Sequence, residues 1–179
     1  MTSRLLTLTK FGLLFLFISA CGWQLRGQVN LPAQLQVLKI DNQQNNSSLV
    51  QAIEQSLLSN GVSFSEEAPY TLVILREENN RRVLSVTANA KASEYELEQT
   101  LVAELFRNSI EGERTQLGDD QPVSGEVYDL TITSYRTQLY DAAAELGKAQ
   151  EADNLRRDMR RDNINKLMRR LQNLDLKTP

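Results

Sequence analysis

Residues 93–106 read SEYELEQTLVAELF, and their alternation decides the fold class. Tyr95, Leu97, Leu101, Ala103 and Leu105 fall in one phase, and Glu94, Glu96, Glu98 and Glu104 in the other. A period of two sustained over this length is an antiparallel strand with one wet face. Lys91 and Ala92 form a short turn ahead of it. Upstream, Leu84, Val86, Ala88 and Ala90 alternate with Ser85, Thr87 and Asn89, so Arg82–Ala90 is extended as well. Tyr70–Arg76 (YTLVILR) is a further strand, and the Asn79-Asn80 pair between the two stretches is a hairpin turn or a bulge; one long twisted strand suits the run better.

Further upstream, Leu35–Asp41 (LQVLKID) is apolar on both faces, the pattern of a strand covered on both sides. Ser48 with Gln51 three residues on matches a capping box, and Asn60-Gly61 is a helix stop. Leu49, Ala52, Ile53 and Leu57 lie between them on one face, giving a one-sided helix and a βα unit. Downstream, residues 107–122 form a polar loop, and Val123–Thr137 resumes strand character with Tyr128, Leu130 and Ile132 on one face. From about Ala142 to Leu174 the chain is helical, with an apolar stripe at Ala149, Ala152, Leu155, Met159, Leu167, Leu171 and Leu174. The order is β-α-β-β-β-α. It predicts an α+β two-layer sandwich, a four-stranded, mostly antiparallel sheet with two helices on one face.

The N-terminus carries a different message. Arg4 and Lys10 precede an apolar stretch, Phe11–Ile18, and then Ser19-Ala20-Cys21-Gly22. That is the basic region, short apolar core and small-residue cleavage site of an export signal. The apolar run is about half the ~20 residues a membrane span needs. The Ile-Ser-Ala-Cys junction resembles a lipobox, which predicts cleavage before Cys21 and its acylation by S-diacylglycerol and an N-acyl chain. By resemblance to the lipoprotein sorting pattern, Gly22 in place of an aspartate implies the outer membrane rather than retention at the inner one. Residues 1–20 are then the signal peptide, 21–34 a lipidated tether and 35–179 one domain.

Composition narrows the chemistry. The chain has 179 residues, a formal charge of −3, no histidine and Cys21 as its one cysteine. Lipidation consumes that thiol, leaving none for a disulfide, a metal or a nucleophile. Without imidazole the usual agent of acid–base catalysis near neutral pH is missing. Asp119-Asp120 lies in the polar loop, and the glutamates of 94–98 read as solvated surface, so no enzyme activity, metal or cofactor is expected beyond the lipid on Cys21. The acidic balance argues against nucleic acid. The sheet face away from the helices carries Glu and Thr mixed with Val83, Val102, Phe106 and Tyr135, a composition suited to a protein partner.

Cys-Gly-Trp-Gln-Leu-Arg-Gly at 21–27, the helix ending Leu57–Gly61, Ala92-Ser93-Glu94-Tyr95-Glu96-Leu97, and Leu167-Met168-Arg169-Arg170-Leu171 occur in the order and spacing of one family. Together they resemble the lipopolysaccharide-assembly lipoproteins, LptE. The resemblance implies a lipid-anchored plug in the lumen of the outer-membrane β-barrel LptD, one that helps the barrel assemble and takes part in inserting lipopolysaccharide at the cell surface. It also implies two lipopolysaccharide-contact residues: Lys91 at the turn between the long strands, and Lys148 just ahead of the helical stripe. The alternative is a structural lipoprotein scaffolding another envelope or cell-wall assembly.

Overall fold

The computed structural model of the protein describes residues 29–43, 46–108, 126–140 and 145–176. Cys21, the signal segment, Asp119-Asp120, Val123 and Ala142 lie outside the described residues.

A long hairpin organises everything else. Strand β3 (Tyr70–Val86) pairs antiparallel with β4 (Ala92–Arg107) along its whole length. Asn79 and Asn80 stand in unbroken register with Gln99 and Glu98, so the run is one strand. The irregularities fall instead between Ile74 and Arg76 and around Val83–Val86. Skipping Leu75 shifts the side-chain phase by one. Before it, Leu72 and Ile74 oppose Leu105 and Ala103; after it, Glu77, Asn79 and Arg81 oppose Leu101, Gln99 and Leu97. A carboxylate, an amide and a guanidinium therefore land on the inner face.

Strand β1 (Val37–Asn42) runs parallel to β3, and helix α1 (Ser47–Ser59) supplies the crossover that parallel pairing requires. Leu38 is fully buried, but Val37 is 37% exposed. The β1 strand is thus covered on one face and not on both, because both helices lie on the same side. Leu35 belongs to a preceding 3-10 turn, Ala33–Leu35, and is buried. The cap of α1 also differs from expectation. Asn46 Oδ1 accepts from the Leu49 amide at 3.3 Å, while Ser48 sits inside the first turn and donates its hydroxyl to Asn46 at 2.9 Å. A carbonyl oxygen just outside the helix can reach the free N–H groups of the first turn. Asn60-Gly61 ends the helix as read, with Gly61 at φ +83°.

The last strand is divided. Segments β5 (Val127–Asp129) and β6 (Ile132–Leu139) pair one after the other along β4. Asp129 causes the break: its Oδ1 accepts from both the Thr131 amide and hydroxyl at 2.7 Å, a local turn that competes with the ladder. With the two-residue β2 (Ser63–Phe64), the sheet has six strands among the described residues where four were expected, ordered β2-β1-β3-β4-β5 with β6 also on β4. The α+β class and the single helical layer stand.

Helix α2 (Glu145–Gln172) closes the inner face through Met159, Ile164, Leu167, Met168 and Leu171. Ala149, expected on its stripe, is exposed. The core falls into two clusters: a large one including Leu38, Ile53, Leu72, Leu101 and Leu167, and a small one of Leu97, Ala152 and Met159. A polar layer lies between them. Gln99 and Asn163 are 1% and 2% exposed, and Asn163 Nδ2 donates to the Gln99 carbonyl at 3.0 Å. Ser134 Oγ donates to Asn163 at 2.7 Å, and the Gln99 amide donates to Asn79 at 2.9 Å.

Candidate partner face and distal cleft

The outer face of the sheet is built by cross-strand rows. Arg82, Glu96 and Thr137 form one; Asn80, Glu98 and Tyr135 the next; Glu78, Thr100 and Thr133 a third. Within them Arg82 Nε meets Glu96 at 2.6 Å, and the Thr100 and Thr133 hydroxyls share a 3.0 Å hydrogen bond. Tyr135 and Leu139 stand 53% and 62% exposed among these polar groups. Val102 lies on this face but is buried, and Phe106 is half-buried. Val83 does not belong to it. It pairs with Tyr95 and faces the helix side, a consequence of the phase shift at Leu75. Val83, Leu84 and Val86 are all exposed, so the distal end of the hairpin reaches past the helical cover.

Lys91 stands exposed at the tip of that hairpin. Thr87 N donates to the Lys91 carbonyl at 2.7 Å and Ala90 takes φ +57°, which closes the turn. Lys148 is elsewhere, within the first turns of α2. Its Nζ pairs with Glu151 at 2.7 Å, and its carbonyl accepts from the buried Gln138 amide at 2.6 Å. Lys148 lines a cleft of about 360 Å³ between α2 and the distal halves of β3, β4 and β6, whereas Lys91 does not. The two lysines thus occupy separate features.

Sequence reasoning missed the centre of that cleft, Arg81. Its guanidinium carbon lies 3.4 Å from the centroid of the Tyr95 ring and 5.8 Å from that of Tyr140. The two rings meet edge to face at 5.3 Å. The sequence signal was present but faint: Arg81 shares a phase with Tyr95 only once the register of the hairpin is known.

Two ion-pair groups brace the sandwich behind these surfaces. Arg160 of α2 donates through Nε and a terminal nitrogen to both oxygens of Glu77, at 2.8 and 2.5 Å. Glu77 also accepts from the cap residue Asn46 at 3.2 Å. The hydrogen bond to Glu77 holds Arg160 above its usual range, against an opposing effect of burial. Around Asp162, burial pushes the carboxyl up. Hydrogen bonds from Ser134 and Lys166, with the charges of Lys166 and Arg136, outweigh it and hold the group below the ordinary carboxylate value. The Thr131 hydroxyl and amide do the same for Asp129. Among the described residues no group of histidine, cysteine, aspartate or glutamate converges to hold a metal, and no helix is long and apolar enough to cross a membrane.

A family model described as LptE, lipopolysaccharide-assembly, matches residues 34–171. The chain belongs to the LptE family. Among LptE relatives, the LPS-assembly lipoprotein LptE of Pectobacterium atrosepticum is 30% identical over 175 residues, 96% of this chain and 86% of that protein. The protein of the same name from Yersinia pestis is 29% identical, covering 96% of this chain and 77% of its own length. In fold, this LptE chain is similar to the rare lipoprotein B of Shewanella oneidensis (TM-score 0.61, 18% identity, 75% of this chain and 92% of that one). It is similar as well to lipoprotein B of Nitrosomonas europaea (TM-score 0.60, 22% identity, 84% and 90%). LptE is a family of membrane-associated lipoproteins of lipopolysaccharide assembly and is not a family of enzymes.

Proposed function

We propose that this chain is acylated on Cys21 and held at the outer membrane, and that its outer sheet face docks in the lumen of the LptD β-barrel. There it helps the barrel assemble and takes part in passing lipopolysaccharide to the cell surface. The observation that carries the docking is the outer face itself. Rows of Arg, Glu, Thr and Asn, interrupted by exposed Tyr135 and Leu139, can satisfy hydrogen-bonding walls and still bury apolar area. Barrel interiors are polar, so a purely apolar face would be mismatched there. The hairpin extending past the helices supplies a narrow leading end with Lys91 at its tip. Acyl chains contribute about 0.8 kcal/mol per buried methylene, which makes the anchor effectively permanent. They also raise the local concentration of the domain at the barrel's mouth. Lys91 and Lys148 are the proposed cationic contacts for lipopolysaccharide phosphates.

The test is affinity purification of the lipidated protein from membranes. One large β-barrel should co-purify at equal stoichiometry, and depletion of the protein should stop lipopolysaccharide reaching the surface. Recovery with peptidoglycan fragments or other lipoproteins, and no barrel, would instead support an envelope scaffold.

A further inference from the structure

The far edge of the sheet carries an arrangement that docking of the outer face does not use. Strand β6 pairs with β4 on one side, and among the described residues no strand pairs with it on the other. The Leu130 and Tyr140 amides donate to the Ala103 and Ser93 carbonyls of β4 at 2.9 and 2.8 Å. Backbone groups alternate sides along a strand, so the even-numbered residues of β6 face β4 and the odd-numbered ones face away. Thr133, Tyr135, Thr137 and Leu139 therefore present their N–H and C=O groups along an edge, and the last three are exposed. Such an edge is a template for another strand.

Three cations occupy it. Arg170 donates to the Thr131 carbonyl at 3.0 Å, Lys166 to that of Thr133 at 3.1 Å and Arg136 to that of Tyr135 at 2.8 Å. These are successive carbonyls on the outward side. Four residues of helix advance about 6 Å and two residues of strand about 6.6 Å, so Arg170 and Lys166 of α2 stay in step with Thr131 and Thr133. One helical turn further back stands Asp162, whose carboxylate cannot donate. It lies instead 3.7 Å from Arg136, and another nitrogen of that guanidinium reaches the Tyr135 carbonyl. Lys166 Nζ is fixed in turn by Ser134 Oγ at 2.7 Å and Asp162 at 3.2 Å. An incoming strand needs these same carbonyls as acceptors and has to displace charge-assisted hydrogen bonds to reach them. We infer that Arg136, Lys166 and Arg170 close the β6 edge against strand addition, and that the partner they exclude is a second copy of this chain. A strand pairs antiparallel with its own copy across a two-fold axis, so an opened β6 edge is complementary to itself. This inference is independent of the docking and lipid-anchor readings above.

The experiment is sedimentation equilibrium of the protein purified from cells in density-matched detergent, with hydrogen exchange read at single amides. Wild type is compared with an edge triple, Arg136→Met with Lys166→Met and Arg170→Met. A control triple replaces Arg157, Arg161 and Arg169, exposed cations of the same helix, by Met. Each triple removes three positive charges from an already acidic chain, so loss of charge cannot separate the two. Wild type and control should stay monomeric. The edge triple should dimerise about tenfold more tightly than the control or better, the scale of one charge-assisted contact. Its dimerisation should slow exchange at the outward amides of Thr133, Tyr135 and Thr137. An edge triple as monomeric as wild type, a control that associates equally, or association without slowing at those amides would each overturn the inference. So would wild type already paired through them. Should circular dichroism show the edge triple unfolded, Lys166→Met with Arg170→Met carries the same test and leaves Arg136 beside Asp162, with Arg161→Met and Arg169→Met as its control.

Discussion

Replacing Arg160 by Met tests whether the Glu77 clasp joins the two helices to the sheet. The Glu77 side chain is 4% exposed and Arg160 30%, and the pair is bidentate. Removing one partner of a fully buried pair costs about 3–5 kcal/mol, because a charge is left in a poor solvent. Here Asn46 still donates to Glu77, and the Arg160 end is partly wet, so about 2–3 kcal/mol is expected. For a domain of this size each kcal/mol lowers Tm by about 2–4 °C, giving a fall of roughly 4–12 °C. Urea unfolding of the mature protein followed by circular dichroism measures it. The Arg156→Met variant, which breaks a pair 41% and 56% exposed, serves as the control and should lose no more than about 1 kcal/mol. A loss for Arg160→Met no larger than that of the control would refute the clasp.

Acid should weaken the fold through Asp129 and Asp162. Both carboxyls are held below their ordinary value, so their contribution is complete above about pH 4 and fades as pH falls through the folded value. Urea midpoints taken from pH 7 down to pH 2 should show this, with a shallower slope in Asp162→Asn; an unchanged slope would contradict the assignment. Ala90→Gly should stabilise by about 0.5–1 kcal/mol, since Ala90 sits at φ +57° where a Cβ is strained. A thermal melt that falls instead would mean that entropy outweighs strain at the tip. Tyr135→Lys leaves the fold within about 1 kcal/mol of wild type, because the side chain is 53% exposed, yet it should sharply reduce barrel recovery. Undiminished recovery would move the docking surface off this face.

Periodicity alone was enough for much of the fold. The alternation of residues 93–106, the one-sided helix before Asn60-Gly61 and the C-terminal stripe each reflect burial on a single face, and local spacing records that directly. One signal lay in plain view: Gln99 falls in the apolar phase between Leu97 and Leu101, marking the polar layer that divides the core. The remainder needed the pairing of distant residues. A bulge at Leu75 turned Glu77 and Arg81 inward, a carboxylate at Asp129 cut one strand into two, and Asn46 displaced Ser48 as cap. Phase within a strand can be read from the chain, but which phase faces the helices depends on register against a neighbour, and register is a tertiary quantity. That is why Lys91 could be placed at a turn from sequence. The Arg81–Tyr95–Tyr140 corner, assembled from two paired strands and the residue that follows β6, emerged only when the sheet was folded.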